Sequence, residues 1–167
     1  MDDLNAILFD LDNTLLINDM DSFVPAYLKL ISGYAAELSD PKRFVEQMMA
    51  ATETMIANTD PTVSNETAFW DEFSRLTGWD RDDMIPFFAR FYENEFDSLQ
   101  QLTRPRPEAR TLVEWAFDAG YQVVIATNPV FPQKATEKRL TWAGLGVEEF
   151  DYALVTTYEN MHATKPQ

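Results

Sequence analysis

Asp10-Leu11-Asp12-Asn13-Thr14 sets two carboxylates and a hydroxyl within five residues. On extended backbone, positions two apart face the same side, so Asp10 and Asp12 can share a face while Leu11 turns into the core. Like charges held so close repel. A divalent cation relieves the repulsion, and hard oxygen ligands favour magnesium, which commonly sits beside a substrate phosphate. The spacing therefore points to metal-assisted phosphate chemistry. The plain alternative is that Asp12, Asn13 and Thr14 only turn the chain and cap a helix, which leaves Asp10 without a reason. With 15 Asp and 15 Thr in the chain, about 0.1 matches to Asp-x-Asp-x-Thr arise at random, so the weight rests on where the motif lies.

It lies at the end of a strand. Ala6-Ile7-Leu8-Phe9 is a continuous apolar run of the kind that is buried on both faces of a parallel sheet, and open α/β sheets bind ligands at such carboxyl ends. A second run, 122–127, ends in Thr127-Asn128. A Thr-Asn-Pro turn is more often structural, but at the same sheet edge its hydroxyl and amides can hold a phosphate oxygen. Lys165 follows a third run, 152–156, by about ten residues. A lysine near a chain end is usually solvated; here it can reach a phosphate as a point charge.

The elements that position these residues follow from hydrophobic period. From about Asp21 to Phe96 the apolar residues recur at helical steps. Phe23, Tyr27, Ile31 and Tyr34 line a first helix. Asp40-Pro41 caps a second with Phe44, Met48 and Met55 on one face. Phe69, Trp70 and Phe73 mark a third, closed by Gly78, and Phe87, Phe88 and Phe91 a fourth behind an acidic turn. Arg104-Pro105-Arg106-Pro107 reads as a hinge with both arginines solvated. Beyond it, helix (107–120), strand, helix (132–145) and strand alternate, which argues for a parallel sheet with helices on its faces. The expected architecture is an α/β core of 1–16 and 101–167, interrupted by a helical insertion at 17–100. The aromatic stripes of the insertion read as its own core rather than as a pocket, and His162 as a loop residue.

Bulk properties bound the rest. The chain has 167 residues, 46% hydrophobic, with a net charge of −15 and a pI near 4.2. That is enough apolar content for a packed interior, and the charge repels nucleic acid and anionic membrane surfaces. There is no cysteine and no apolar run of membrane-spanning length, so a cytoplasmic enzyme is the expectation. The sequence leaves the oligomeric state open.

Asp10-Leu11-Asp12-Asn13-Thr14, Thr127 and Lys165-Pro166, in this order and context, resemble the first three motifs of the haloacid dehalogenase superfamily. The resemblance spans nearly the whole chain and implies a Rossmann-like core with an inserted helical cap. It further implies that Asp10 attacks phosphorus, that Asp12 is the acid/base, and that Thr127 and the Asn128 amide hold the phosphoryl oxygens while Lys165 offsets their charge. Magnesium would bind the Asp10 carboxylate and the Asp12 carbonyl oxygen. Dehalogenases and phosphonatases of the superfamily generally carry another residue at the place of Asp12. The pattern thus favours a magnesium-dependent phosphatase acting on a small phosphate ester, with a phosphomutase or a non-catalytic binding form as alternatives.

One departure stands out. Relatives carry a fourth motif, an acidic pair after a further strand, and no acid follows Glu159 here. The expectation is a core incomplete at its C-terminus, a chain that is a fragment, and slow or absent turnover by these 167 residues alone.

Overall fold

The computed structural model describes residues 4–166. Three parallel strands form the central sheet in the order β1 (Ala6–Phe9), β4 (Gln122–Ile125), β5 (Leu154–Val155). Between β1 and β4 run β2 (Leu16–Asn18), helices α1 (Met20–Tyr34), α2 (Pro41–Ala57), α3 (Asn65–Thr77) and α4 (Arg81–Asn94), a 3-10 segment at Phe96–Leu102, β3 (Thr103–Pro105) and α5 (Ala109–Asp118). Helix α6 (Gln133–Trp142) connects β4 to β5. The fold is a Rossmann-like α/β core with a helical insertion.

The caps explain where the inserted helices start. Asp19, Asp40, Ser64 and Asp80 each accept a main-chain N–H of the first turn through their side chains, satisfying donors that a helix end leaves orphaned. Gly78 ends α3 at φ 76°, a left-handed conformation that costs glycine nothing. Phe44, Phe73, Phe88 and Phe91 are buried within this group of helices.

Two features depart from the sequence reading. The hinge is an ordered ribbon, because β2 and β3 pair antiparallel and bind the chain entering the insertion to the chain leaving it. Strand β1 is buried on one face only: Phe9 lies in the core, whereas Leu8 is 64% exposed. Among the described residues β1 has a single neighbour, β4, which leaves its other edge and the Leu8 face without cover.

The insertion is also tied to the segment that leads to Lys165. The first-turn N–H groups of Asn65 and Glu66 donate to the carbonyls of Met161 and Tyr158, both at 2.8 Å. The Asn65 side-chain amide donates to Pro129 O at 3.1 Å and Ala163 O at 3.2 Å, and that of Asn58 to His162 O at 3.3 Å. His162 is an exposed loop residue, as the sequence suggests.

Candidate active site

The parallel register builds one edge from three strand ends. Phe9 pairs with Ile125 and Ile125 with Val155, so Asp10, Thr127 and Thr156 all lie just past their strands on the same side. Ala126 N donates to Phe9 O at 2.7 Å, and Thr156 Oγ1 donates to the Thr127 carbonyl at 2.7 Å. Thr127 is buried, and its side chain makes no hydrogen bond to Asp10 or Lys165 among the described residues.

Past Phe9 the chain folds into a tight loop. The Leu11 side chain is fully buried, and its carbonyl accepts from the N–H groups of Leu15 and Leu16 at 2.9 and 3.0 Å. Asn13 takes φ 60°, a region that asparagine tolerates better than most residues; its Oδ1 accepts from Asn18 N at 3.2 Å. Arg106, read from sequence as solvated, clamps the loop instead. Its Nε donates to Thr14 O at 2.7 Å and its Nη2 to Asn13 O at 2.8 Å.

The two carboxylates have different partners. Asp10 Oδ1 accepts from Lys165 Nζ at 2.7 Å, and Asp10 Oδ2 from Thr14 Oγ1 at 3.3 Å. The Lys165 N–H in turn donates to Asn128 Oδ1 at 3.0 Å. Asp12 Oδ1 accepts from Asn18 Nδ2 at 2.8 Å, and Asp12 Oδ2 from Arg139 Nη1 at 2.6 Å. The Lys165 and Asp10 side chains are 51% and 39% exposed, those of Arg139 and Asp12 only 1% and 18%. The charge repulsion expected between the aspartates is thus offset by one protein cation each.

Arg139 and Glu159 are the residues that sequence reasoning missed. Arg139 also donates to Ala135 O at 3.3 Å and lies 4.6 Å over the Phe131 ring, so its charge is held by a carboxylate, a carbonyl and a π face. Glu159 supplies the cap that Pro132 cannot: both its oxygens accept from Gln133 N, at 2.9 and 3.0 Å. Burial raises the Glu159 carboxyl above the ordinary glutamate range, and the Gln133 N–H pulls it part of the way back. In sequence, Arg139 ends the polar run 133–139 and reads as a surface cation. Only its i, i+4 relation to the buried Ala135 hints otherwise.

The two oxygens that the family resemblance implies for a hard cation are the Asp10 carboxylate, here hydrogen-bonded to Lys165 and Thr14, and the Asp12 main-chain carbonyl. Among the described residues no three acidic or imidazole side chains converge. Magnesium fits so small a donor set, because it keeps several waters and takes further oxygens from substrate phosphate. No helix among the described residues is long and apolar enough to cross a membrane.

A family model described as haloacid dehalogenase-like hydrolase matches residues 7–167. Similar solved structures include a predicted phosphoglycolate phosphatase from Haemophilus somnus 129PT, at 15% identity and TM-score 0.47, covering 98% of this chain and 67% of that one. A HAD phosphatase from Thermococcus onnurineus is 18% identical with TM-score 0.49, covering 98% and 66%. The L-2-haloacid dehalogenase from Xanthobacter autotrophicus is 14% identical with TM-score 0.45, covering 99% and 61%. The chain spans about two thirds of the length of these structures. No curated protein matches it.

Proposed function

Since the chain belongs to the haloacid dehalogenase-like hydrolase family, we propose that it is a cytoplasmic, magnesium-dependent phosphatase that hydrolyses a small phosphate ester through an aspartyl-phosphate. The observation that carries this reading is Asp10 itself: a part-exposed carboxylate at the sheet edge, 2.7 Å from the ammonium of Lys165. Residues 17–100 act in this reading as a cap over a core of 1–16 and 101–167.

An Asp10 carboxylate oxygen attacks phosphorus as the bond to the leaving oxygen breaks, which splits hydrolysis into two easier displacements. Asp12 gives its proton to the leaving oxygen, then takes one from the water that cleaves the aspartyl-phosphate and restores Asp10. To do so it exchanges one of its two present partners for the proton. Lys165, part-exposed, moves from Asp10 toward the phosphoryl oxygens, with the Thr127 hydroxyl and the Asn128 amide alongside. The Asp10 carboxylate and the Asp12 carbonyl would hold magnesium, which when bound would supply charge neutralisation for the phosphoryl group. Asp12 favours a phosphatase over a dehalogenase, because an alkoxide leaves more readily with a proton and a halide needs none.

The test is phosphate release from phenyl phosphate with and without magnesium, together with trapping of an acid-stable, hydroxylamine-sensitive phosphoryl label. Release and label that both vanish in Asp10→Asn support the mechanism. Release that survives Asp10→Asn overturns it, as does the absence of both release and label in a version extended to the natural stop codon.

A further inference from the structure

A cavity of about 320 Å³ lies among α1–α4, the turn after Thr127 and the loop before Lys165. Its walls include Tyr27, Phe44, Phe73, Phe88, Phe131 and Tyr158, and the charged residues on its lining are Glu66, Lys134 and Glu159. The aromatic stripes that the sequence suggested as plain core therefore also line an opening.

The cavity wall comes close to Asp12 at two places. Met20 lines it, and its Sδ lies 3.5 Å from Asn18 Nδ2, the group that donates to Asp12 Oδ1. Phe131 lines it too, and carries on its face the Arg139 guanidinium that holds Asp12 Oδ2. Both oxygens of the proposed acid are thus one side chain away from the cavity wall.

We propose that this cavity takes the leaving group of the substrate, and that this group is a neutral, bulky hydrocarbon, aromatic or branched, rather than a polyol or a second anion. The inference rests on the phosphatase reading for the reacting phosphate alone. An apolar cavity of about 150 Å³ accommodates benzene, so the volume here suits about two fused rings. Each hydroxyl of a sugar buried against such walls without a partner costs about 1–3 kcal/mol, whereas each buried methylene contributes about 0.8 kcal/mol. Two of the three charged lining residues are acidic, which disfavours a further negative charge. One polar anchor in the wall is the Tyr27–Tyr92 pair, whose hydroxyl oxygens are 2.7 Å apart. Burial raises both phenols far above their ordinary range, so both stay protonated. Two O–H groups with one bond between them leave one hydrogen over, and among the described residues it has no acceptor. An ether or carbonyl oxygen on the hydrocarbon can take it.

Calorimetric titration of the full chain with 2-naphthyl phosphate, 2-naphthol and glucose 6-phosphate tests this. The expected result is at least tenfold tighter binding of 2-naphthyl phosphate than of glucose 6-phosphate, measurable binding of 2-naphthol, and a tenfold or greater loss for both naphthyl compounds in Ala89→Phe and Val24→Phe. Both positions line the cavity, from different helices, and near-UV circular dichroism checks that each variant is folded. Equal binding of the two esters, or naphthyl binding untouched in both variants, overturns the proposal. Naphthyl compounds that bind in the cavity while a version extended to the natural stop codon releases no phosphate from any ester would leave the hydrocarbon site standing and remove the phosphatase reading.

Discussion

Asp10 and Asp12 are two residues apart and chemically identical, yet the fold gives them opposite settings. The Asp10–Lys165 pair is part-exposed, and the Asp12–Arg139 pair has its cation 1% exposed. Exposed ion pairs contribute about 0–1 kcal/mol, so Asp10 and Lys165 can part at small cost when a phosphate enters between them. Removing one member of a buried pair leaves a charge stranded, which costs about 3–5 kcal/mol. Asp10 can therefore react once Lys165 moves aside, whereas Asp12 must first give up a more tightly held partner before it carries a proton.

The largest expected effect breaks the reactive half. Asp10→Asn lowers phosphate release by about a thousandfold or more while shifting the urea midpoint little, as parallel activity and denaturation measurements would read. Arg139→Leu does the reverse first: it costs about 3 kcal/mol in urea denaturation, whereas Lys165→Met costs less than about 1 kcal/mol. A double variant, Arg139→Leu with Asp12→Leu, recovers part of that loss. Equal costs for Arg139→Leu and Lys165→Met would erase the distinction.

A smaller effect tests the loop that separates the two settings. Asn13 holds φ 60°, so Asn13→Val destabilises by about 1–2 kcal/mol, and Asn13→Gly by less, in the same denaturation assay. The smallest concerns Glu159. Its folded-state carboxyl is raised, so the folded chain binds the proton more tightly than the unfolded one, and stability falls as pH rises from the ordinary glutamate range through the folded value. Glu159→Gln keeps an acceptor for Gln133 N and removes the charge. Its melting temperature relative to the parent rises across that window, by on the order of a degree given the partial exposure.

What was legible in the sequence had a period or a cap. The inserted helices announced themselves through Asp40-Pro41, Gly78 and aromatic spacing, and the strand-end placement of Asp10 and Thr127 followed from apolar runs. The ribbon of β2 and β3 was not legible, because three residues are too few to show alternation and Pro105 argues against a strand. The exposed face of β1 was hidden for a different reason: a four-residue apolar run does not say how many neighbours it has. Arg139 was hidden because burial of a cation depends on a carboxylate 127 residues away, which no local pattern records.

The hydrogen bonds from α3 and Asn128 to the 158–165 segment have an entropic consequence. Each residue whose backbone must be ordered when a ligand binds costs about 1–2 kcal/mol. Met161, His162, Ala163 and Lys165 are already fixed by Asn65, Asn58 and Asn128. When an anion meets Lys165, only the side-chain rotors of the lysine remain to be ordered, about 2 kcal/mol at most. The chain reaches the ligand with most of that disorder already removed during folding.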